Sequence, residues 1–408
     1  MDKTKLLLGD SLETLKTLDA NSIDAMVTDP PAGISFMGKT WDSHKGGRKE
    51  WIAWLCEVME EALRVLKPGA YGLVWALPRT SHWTGMALED AGFEVRDCVY
   101  HLFGSGFPKS LNVGKAVDKL QGNERAVAPP KQFADGTTQR ATARAGIYSE
   151  EKGQAENTVG TGVWEGYGTA LKPAVECWWL VRKPLAESTV AKNVLEYGTG
   201  ALNIDASRIK GLSDKELNWT PQRQHAENPL QIGGAKPGDE QSMYSPSGRW
   251  PSHLIHDGSD VIVEQFPNDS ARFFYCAKPS KAERNAGLDG FEEKARIDYG
   301  GSHSEQGLIN NNRNPENRKP TKNNHPTVKA QALMRYLCKL IAPPGTPIIL
   351  DPFMGSGSTG VACKALGYDF VGIELDAEYL EIAKARIDHA KPLEVVEQLD
   401  ILKQQDSD

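Results

Sequence analysis

The run from Thr346 to Asp376, TPIILDPFMGSGSTGVACKALGYDFVGIELD, decides the fold. PIIL is a short apolar stretch closed by Asp351, and a glycine-bearing turn follows it, so it is expected as a buried strand. Gly355 and Gly357 let the backbone turn tightly and let a ligand approach where a Cβ would collide. Roughly twenty residues on, VGIELD sets Glu374 at the carboxyl end of the next strand, where a carboxylate can accept from both hydroxyls of a ribose. Strand, glycine turn, helix, strand and acid together make a nucleoside-binding half-sheet.

Working outward, the order repeats. KLLLGD, SLETLKTLDANS and IDAMVTDPP read as strand, helix and strand, with Leu12, Leu15 and Leu18 at helical spacing and a Pro-Pro breaker at the end. WIAWLCEVMEEALRVLKPG is a helix stopped by Pro68-Gly69, and AYGLVWAL is a buried strand. VECWWLVRKP is a further strand and VKAQALMRYLCKLIAPPG a further helix. Alternating order of this kind implies an α/β fold with a mainly parallel sheet and helices on both faces. Between Gly104 and Asn324 the chain is rich in Gly, Pro, Asn and Ser and too long for an ordinary connection, so it is expected as inserted recognition material. The expected division is 1–103, then 104–324 interrupted by a core strand near 175–184, then 325–392, with 393–408 as a tail.

With 408 residues the chain can build one large domain carrying an insertion, or two domains. No apolar run is long enough to span a membrane, and MDKTKLLLGD lacks the features of a signal peptide, so a cytoplasmic protein without a membrane partner is expected. The six cysteines are scattered, with no C-x-x-C pair and no Cys/His cluster at ligand spacing, which argues against a metal centre and for reduced thiols. The net charge of −7 is concentrated from Asp351 onward, where twelve acidic residues face five basic ones. Gln306 to Lys329 is a local basic segment with five Lys/Arg against Glu316.

Neither G-x-G-x-x-G nor G-K-[ST] follows the strand, so a dinucleotide fingerprint and a P-loop are both missing from the sequence. A nucleoside cofactor without phosphates is left, and S-adenosyl-L-methionine is the foremost candidate. Asp29-Pro30-Pro31 ends another strand of the same expected sheet, on the edge where ligands of open α/β sheets bind. Two prolines in succession hold the preceding backbone extended, so the Asp29 carboxylate and the Pro30 carbonyl become rigid acceptors for both hydrogens of an NH₂ group. Gripping a conjugated amine in this way frees its lone pair for attack on a methyl sulfonium.

These motifs resemble the amino-group DNA methyltransferases in the beta arrangement, where the catalytic motif, here Asp29-Pro-Pro-Ala32, precedes the cofactor motif Asp351-Pro-Phe-Met-Gly-Ser-Gly357. GDSLETLKTLDANSIDAMVTDPP is similar to that family's opening segment, His325-Pro-Thr-Val-Lys329 to its HPT-x-K motif, and ECWWLVRKP to its sheet strand before recognition material. GSGFPKSLNV, GTGALNID, GRWPSHLIHDGS and RFFYCAKPSKAERN are similar to blocks of a phage-like solitary subgroup. The resemblance implies a seven-stranded-type methyltransferase sheet with a target-recognition insertion. It also implies methylation of adenine N6 in duplex DNA by base flipping, with cytosine N4 as the alternative. Asp29, Pro30, Pro31 and Ala32 would form the catalytic motif. Asp10 would meet the adenine of the cofactor and Glu374 its ribose, with Ser11 and Leu375 also among the cofactor-binding residues. Asp351, Pro352, Phe353, Gly355, Ser356 and Gly357 would meet its methionine side, supported by Thr327 and Lys329, and Asp29 would also bind the cofactor.

Ala32 departs from the family, which carries Tyr or Phe there to stack on the flipped base. Three explanations stand open: a ring supplied from elsewhere, an engineered replacement, and a DNA-binding relative that no longer catalyses. Phe36, Trp41 and Phe107 are the rings nearest in sequence, and Lys39, Lys109, Arg208 and Arg249 are candidate contacts to phosphates or base edges. Double-stranded DNA is the expected partner, a homodimer is implied by the resemblance, and no nuclease motif is present in the chain.

Overall fold

A computed structural model of the chain describes residues 4–34, 42–43, 45–106, 108, 110–127, 158–209, 244–245, 248–277, 280, 282–295 and 320–393. These residues form two compact units. The larger comprises Met1–Gly104, Val175–Lys294 and Thr321–Asp408, and the smaller comprises Ser105–Ala174 with Ala295–Pro320.

The larger unit is built on one sheet of nine strands: β1 Lys5–Leu8, β2 Ile23–Thr28, β3 Leu66–Ala76, β4 Glu94–Leu102, β5 Val175–Arg182, β6 Leu254–His256, β7 Tyr275–Cys276, β8 Ile348–Asp351 and β9 Asp369–Glu374. Their order across the sheet is β1-β9-β8-β2-β3-β5-β4-β6-β7. Every neighbouring pair is parallel except those made by β5, which runs antiparallel to both β3 and β4. Seven strands carry the expected sheet, and the short β6 and β7 extend one edge.

Side-chain alternation in the strands divides the core into two layers. Ala25 and Val27 of β2 and Tyr71 and Leu73 of β3 face one side, in one apolar cluster with Leu333 and Leu337 of the helix Gln331–Ile341, Ala362 and Cys363 of the helix Ser358–Leu366, and Ile387 of the helix Ala377–His389. Met26 and Val74 face the other side, against Leu15 and the helix Arg48–Val65. That helix buries Trp51, Ile52, Leu55, Val58, Met59, Ala62 and Val65, a stripe at three- and four-residue spacing.

The expected stop at Pro68-Gly69 falls elsewhere. The helix ends at Val65 and β3 begins at once, with Pro68 and Gly69 inside it. A register shift against β2 between Ile23 and Ala25 spans this point, so Pro68 faces no ladder position that needs its missing N–H. Asn193, completely buried, then ties the strand down by donating to the carbonyls of Pro68 and Thr199, both at 2.8 Å. In the smaller unit a helix, Val113–Gln121, accompanies a short antiparallel strand pair, Ala126–Val127 with Thr158–Val159. There Arg125 pairs with Asp118 and, at 2.9 Å, with Glu165.

Candidate active site

Parallel strands of one sheet deliver their carboxyl ends to one edge, and β1, β9, β8 and β2 do so side by side. Thr28, the last residue of β2, donates from Oγ1 to Asp351 Oδ1 at 2.7 Å, and Thr359 donates to Oδ2 at 2.6 Å. The amide of Phe353 also donates to Asp351 Oδ1, at 3.1 Å. Asp351 is therefore committed to Thr28 and to the loop and helix that follow it. Burial raises its carboxyl to about 6, against the hydrogen bonds from Thr359 and Thr28.

The turn after β8 has left-handed backbone at Gly355 and Gly357, with φ of 55° and 77°. A Cβ on Gly355 would stand 2.7 Å from His325 Nε2, and one on Gly357 would stand 2.9 Å from Ala383 Cβ. Ser356 points away from the cradle: its hydroxyl receives Arg386 at 3.0 Å and Asn323 at 3.4 Å, while Arg386 also binds its carbonyl. Glu374 accepts from Gly355 N at 2.8 Å and from Asp376 N at 2.8 Å, which aims the acid at the edge beside the turn. Leu8 lies opposite Glu374 in the ladder, and Leu8 and Leu375 are 55% and 60% exposed, so two apolar side chains flank the acid in the open. Pro352 is buried and receives Ser11 Oγ on its carbonyl at 2.6 Å, and Phe353 packs against Trp54 at 5.8 Å between centroids. Asp10 caps the helix Ser11–Leu15, accepting from Leu12 N at 3.0 Å and Glu13 N at 3.2 Å.

Asp29 follows β2 with its side chain 22% exposed. Lys329 Nζ lies 3.4 Å from Asp29 Oδ2 and 3.4 Å from Glu176 Oε1, and His101 Nδ1 lies 3.6 Å from Glu176 Oε2. Lys329 is held over the ring of Trp75 at 4.2 Å and that of Trp178 at 5.7 Å. Burial pushes Asp29 up to about 6 although Lys329 opposes it. Glu176 is buried as well, yet Lys329 and His101 outweigh that cost and bring it down to about 2. Pro30 is buried and Pro31 half-buried. Ala32 is half-buried, with Thr80 Oγ1 donating to its carbonyl at 3.4 Å. Gly33 then turns with φ of 69°, and Asp42 receives its amide at 2.9 Å. Thr327 is exposed, and its amide lies 3.4 Å from His325 Nδ1.

The structure thus brings Asp29, Lys329, Asp351, Gly355, Ser356, Gly357 and Glu374 to one edge. It does not open Arg208 and Arg249 to a ligand. Arg208, its side chain 9% exposed, pairs with Asp205 at 2.7 Å and stacks on Trp250, and Arg249, 7% exposed, lies over Phe273. Neither side chain is open in the way the expected DNA contact requires. Phe36, Lys39, Trp41, Phe107 and Lys109 lie outside the described residues. Glu176, His101, Asn323, Arg386 and Trp75 join the site without having been singled out. Two of them left a signal: Glu176 is an acid heading an apolar strand, and Arg386 sits within the buried stripe Tyr379, Ile382, Ala383 and Ile387.

A family model described as DNA methylase matches residues 140–385. A stretch of 63 residues is 46% identical to the Type II methyltransferase M2.LlaDCHI of Lactococcus lactis subsp. cremoris, covering 15% of this chain and 23% of that protein. A stretch of 67 residues is 43% identical to the DNA adenine methyltransferase YhdJ of Escherichia coli (strain K12), covering 16% of this chain and 22% of that protein. The chain thus spans less than a quarter of the length of these curated relatives. Among solved structures, the PvuII DNA methyltransferase (cytosine-N4-specific) aligns with a TM-score of 0.45 at 12% identity, covering 99% of this chain and 93% of that one.

Proposed function

The chain belongs to the DNA methylase family, and from that premise we propose that it transfers a methyl group from S-adenosyl-L-methionine to the N6 amine of adenine in double-stranded DNA. The carrying observation is Asp29 beside Lys329 on the sheet edge that also bears Glu374 and the Gly355 turn. The residues fit the cofactor: Glu374 suits a ribose, the exposed Leu8 and Leu375 suit the faces of a purine, and the Gly355–Gly357 turn leaves room beside them. When bound, the cofactor supplies a methyl on a positively charged sulfur that leaves as a neutral thioether. Asp29 and the Pro30 carbonyl accept the two amine hydrogens, drawing the nitrogen toward tetrahedral geometry and freeing its lone pair. Asp29 then takes the proton that the alkylated nitrogen sheds and passes it to water.

An aspartate before Pro-Pro favours adenine, whereas the related cytosine N4 enzymes more often carry serine. Digesting methylated DNA to nucleosides and weighing them tests this: N6-methyladenine is expected, and N4-methylcytosine as the sole product overturns it. Ala32 favours a second reading, a relative that binds DNA without turnover. Cofactor binding with no methylation of any duplex would support that reading. Residues 104–324, outside the core strand near 175–184, supply the target-recognition material in this proposal, and the enzyme works as a homodimer, which light scattering tests. Among the described residues no group of three His, Cys, Asp or Glu is placed to hold a metal, and no helix is long and apolar enough to cross a membrane.

A further inference from the structure

Glu176 stands on β5, the antiparallel strand, at the point where that strand enters the sheet. Its Oε1 and Asp29 Oδ2 are equidistant from the Lys329 ammonium, at 3.4 Å each. A lysine given wholly to one carboxylate closes to about 2.7–2.9 Å. Lys329 is instead drawn between two carboxylates, with Trp75 at 4.2 Å and Trp178 at 5.7 Å confining its path. Glu176 is itself fixed on its other oxygen by His101, a buried residue whose ring nitrogens have no closer partner among the described residues.

We infer that Glu176 is a positioning residue that draws Lys329 partly off Asp29, so that the Asp29 carboxylate stays ionised by a nearby cation yet keeps an oxygen open to the target amine. The inference rests on the methylation reading above. Without the charge on Glu176, Lys329 closes on Asp29 and occupies the acceptor that the amine requires. The charged and titratable groups facing the cluster are Asp351 on the Asp29 side, and His101 with Asp257 and His256 beyond it on the Glu176 side. Asp257 is held in place by Gly104 N at 2.9 Å and by the hydroxyl of Ser259 at 2.6 Å.

The consequence runs against ordinary loss of function. In Glu176→Gln a nearby negative charge is gone and Lys329 is closer, and both changes lower the titration of Asp29. The variant should turn over about ten-fold more slowly on the neutral plateau, while the acid limb of its pH profile moves to lower pH. KM for the cofactor should stay within about two-fold, and Glu176→Asp, which keeps the charge, should recover part of kcat. Steady-state methylation across pH, with melting temperatures for each variant, measures this. An acid limb that is unmoved or moves upward overturns the inference, as does full activity in E176Q. If the wild-type protein methylates no DNA, the methylation reading falls. Carboxyl-carbon NMR of Asp29 then decides: a lower titration in E176Q supports the inference and an equal one overturns it.

Discussion

Thr28 Oγ1 donates to Asp351 Oδ1 at 2.7 Å, fastening the end of β2, just before Asp29-Pro30-Pro31, to the end of β8, just before the Gly355–Gly357 turn, across 323 positions of sequence. Thr28 is wholly buried and Asp351 3% exposed, so water cannot replace the donor. Thr28→Val keeps the shape and removes the hydroxyl. It should cost about 1–3 kcal/mol of stability, seen as a lower Tm, and should weaken cofactor binding measured by calorimetry because the Phe353 amide hangs on the same carboxylate.

Activity should fall with acid near the titration of Asp29. Burial raises that carboxyl to about 6 even with Lys329 beside it, and only the ionised form accepts from the amine. The profile of kcat/KM against pH should therefore rise with a midpoint close to that value. A midpoint near the ordinary carboxylate range would mean that another group limits the reaction.

The same shift sets a stability trend of definite sign. A carboxyl whose folded value lies above its unfolded one contributes stability that is present in acid and is lost as pH rises through the folded value. For Asp29 the interval runs from 3.8 to about 6, and for Asp351 it is the same. Asp29→Asn removes its share of that loss, at most about 3 kcal/mol. The Tm of D29N, taken relative to wild type, should thus be higher at about pH 7.5 than at about pH 4.5, even as methylation disappears. Paired melting curves at the two pH values check the sign.

The turn can be tested from behind. Arg386 is 2% exposed, binds the Ser356 hydroxyl at 3.0 Å and its carbonyl as well, and its Nε has no partner among the described residues. Arg386→Met keeps most of the apolar packing and removes these bonds, so a loss of about 1.5–3 kcal/mol is expected. If the arginine shapes the Gly355–Gly357 cradle, the Kd for the cofactor should rise along with the loss in Tm. An unchanged Kd would confine Arg386 to folding.

Much of this was legible in the sequence because strand ends announce themselves. PIILD, IDAMVTDPP and VGIELD each close an apolar run on an acid, and a parallel sheet brings such ends together by construction. What stayed hidden was contact made by turning the chain round. The antiparallel sense of β5 puts Glu176, at the beginning of its strand, among residues that end theirs, and periodicity carries no strand direction. Arg208 and Arg249 misled for the complementary reason: charge in a glycine-bearing segment does not reveal that Trp250 and Phe273 cover it. Pro68-Gly69 misled because a breaker is harmless inside a register shift.

Ala32 is half-buried and, under the proposed function, would leave the target base without a stacking ring from that position, where stacking is worth roughly 1–3 kcal/mol per base. Trp75, with its ring 4.2 Å from Lys329 Nζ, is an aromatic side chain beside the Asp29–Lys329–Glu176 cluster, and it joins Phe36, Trp41 and Phe107 as a candidate for that face. If one of these rings replaces the missing one, Ala32→Tyr should raise activity little, since two rings would compete for one base face. Alanine in place of the true substitute should cut kcat/KM by about ten- to a hundred-fold. Trp75→Ala carries its own control, because it also loosens Lys329. A stacking role lowers kcat/KM at every pH, whereas a role through Lys329 moves the acid limb. Methylation of one duplex by Ala32→Tyr, Trp75→Ala, Phe36→Ala, Trp41→Ala and Phe107→Ala proteins separates the cases. Large rescue by Ala32→Tyr with little effect from the four ring deletions would refute compensation and identify the alanine itself as the lesion in an ordinary Asp-Pro-Pro-Tyr site.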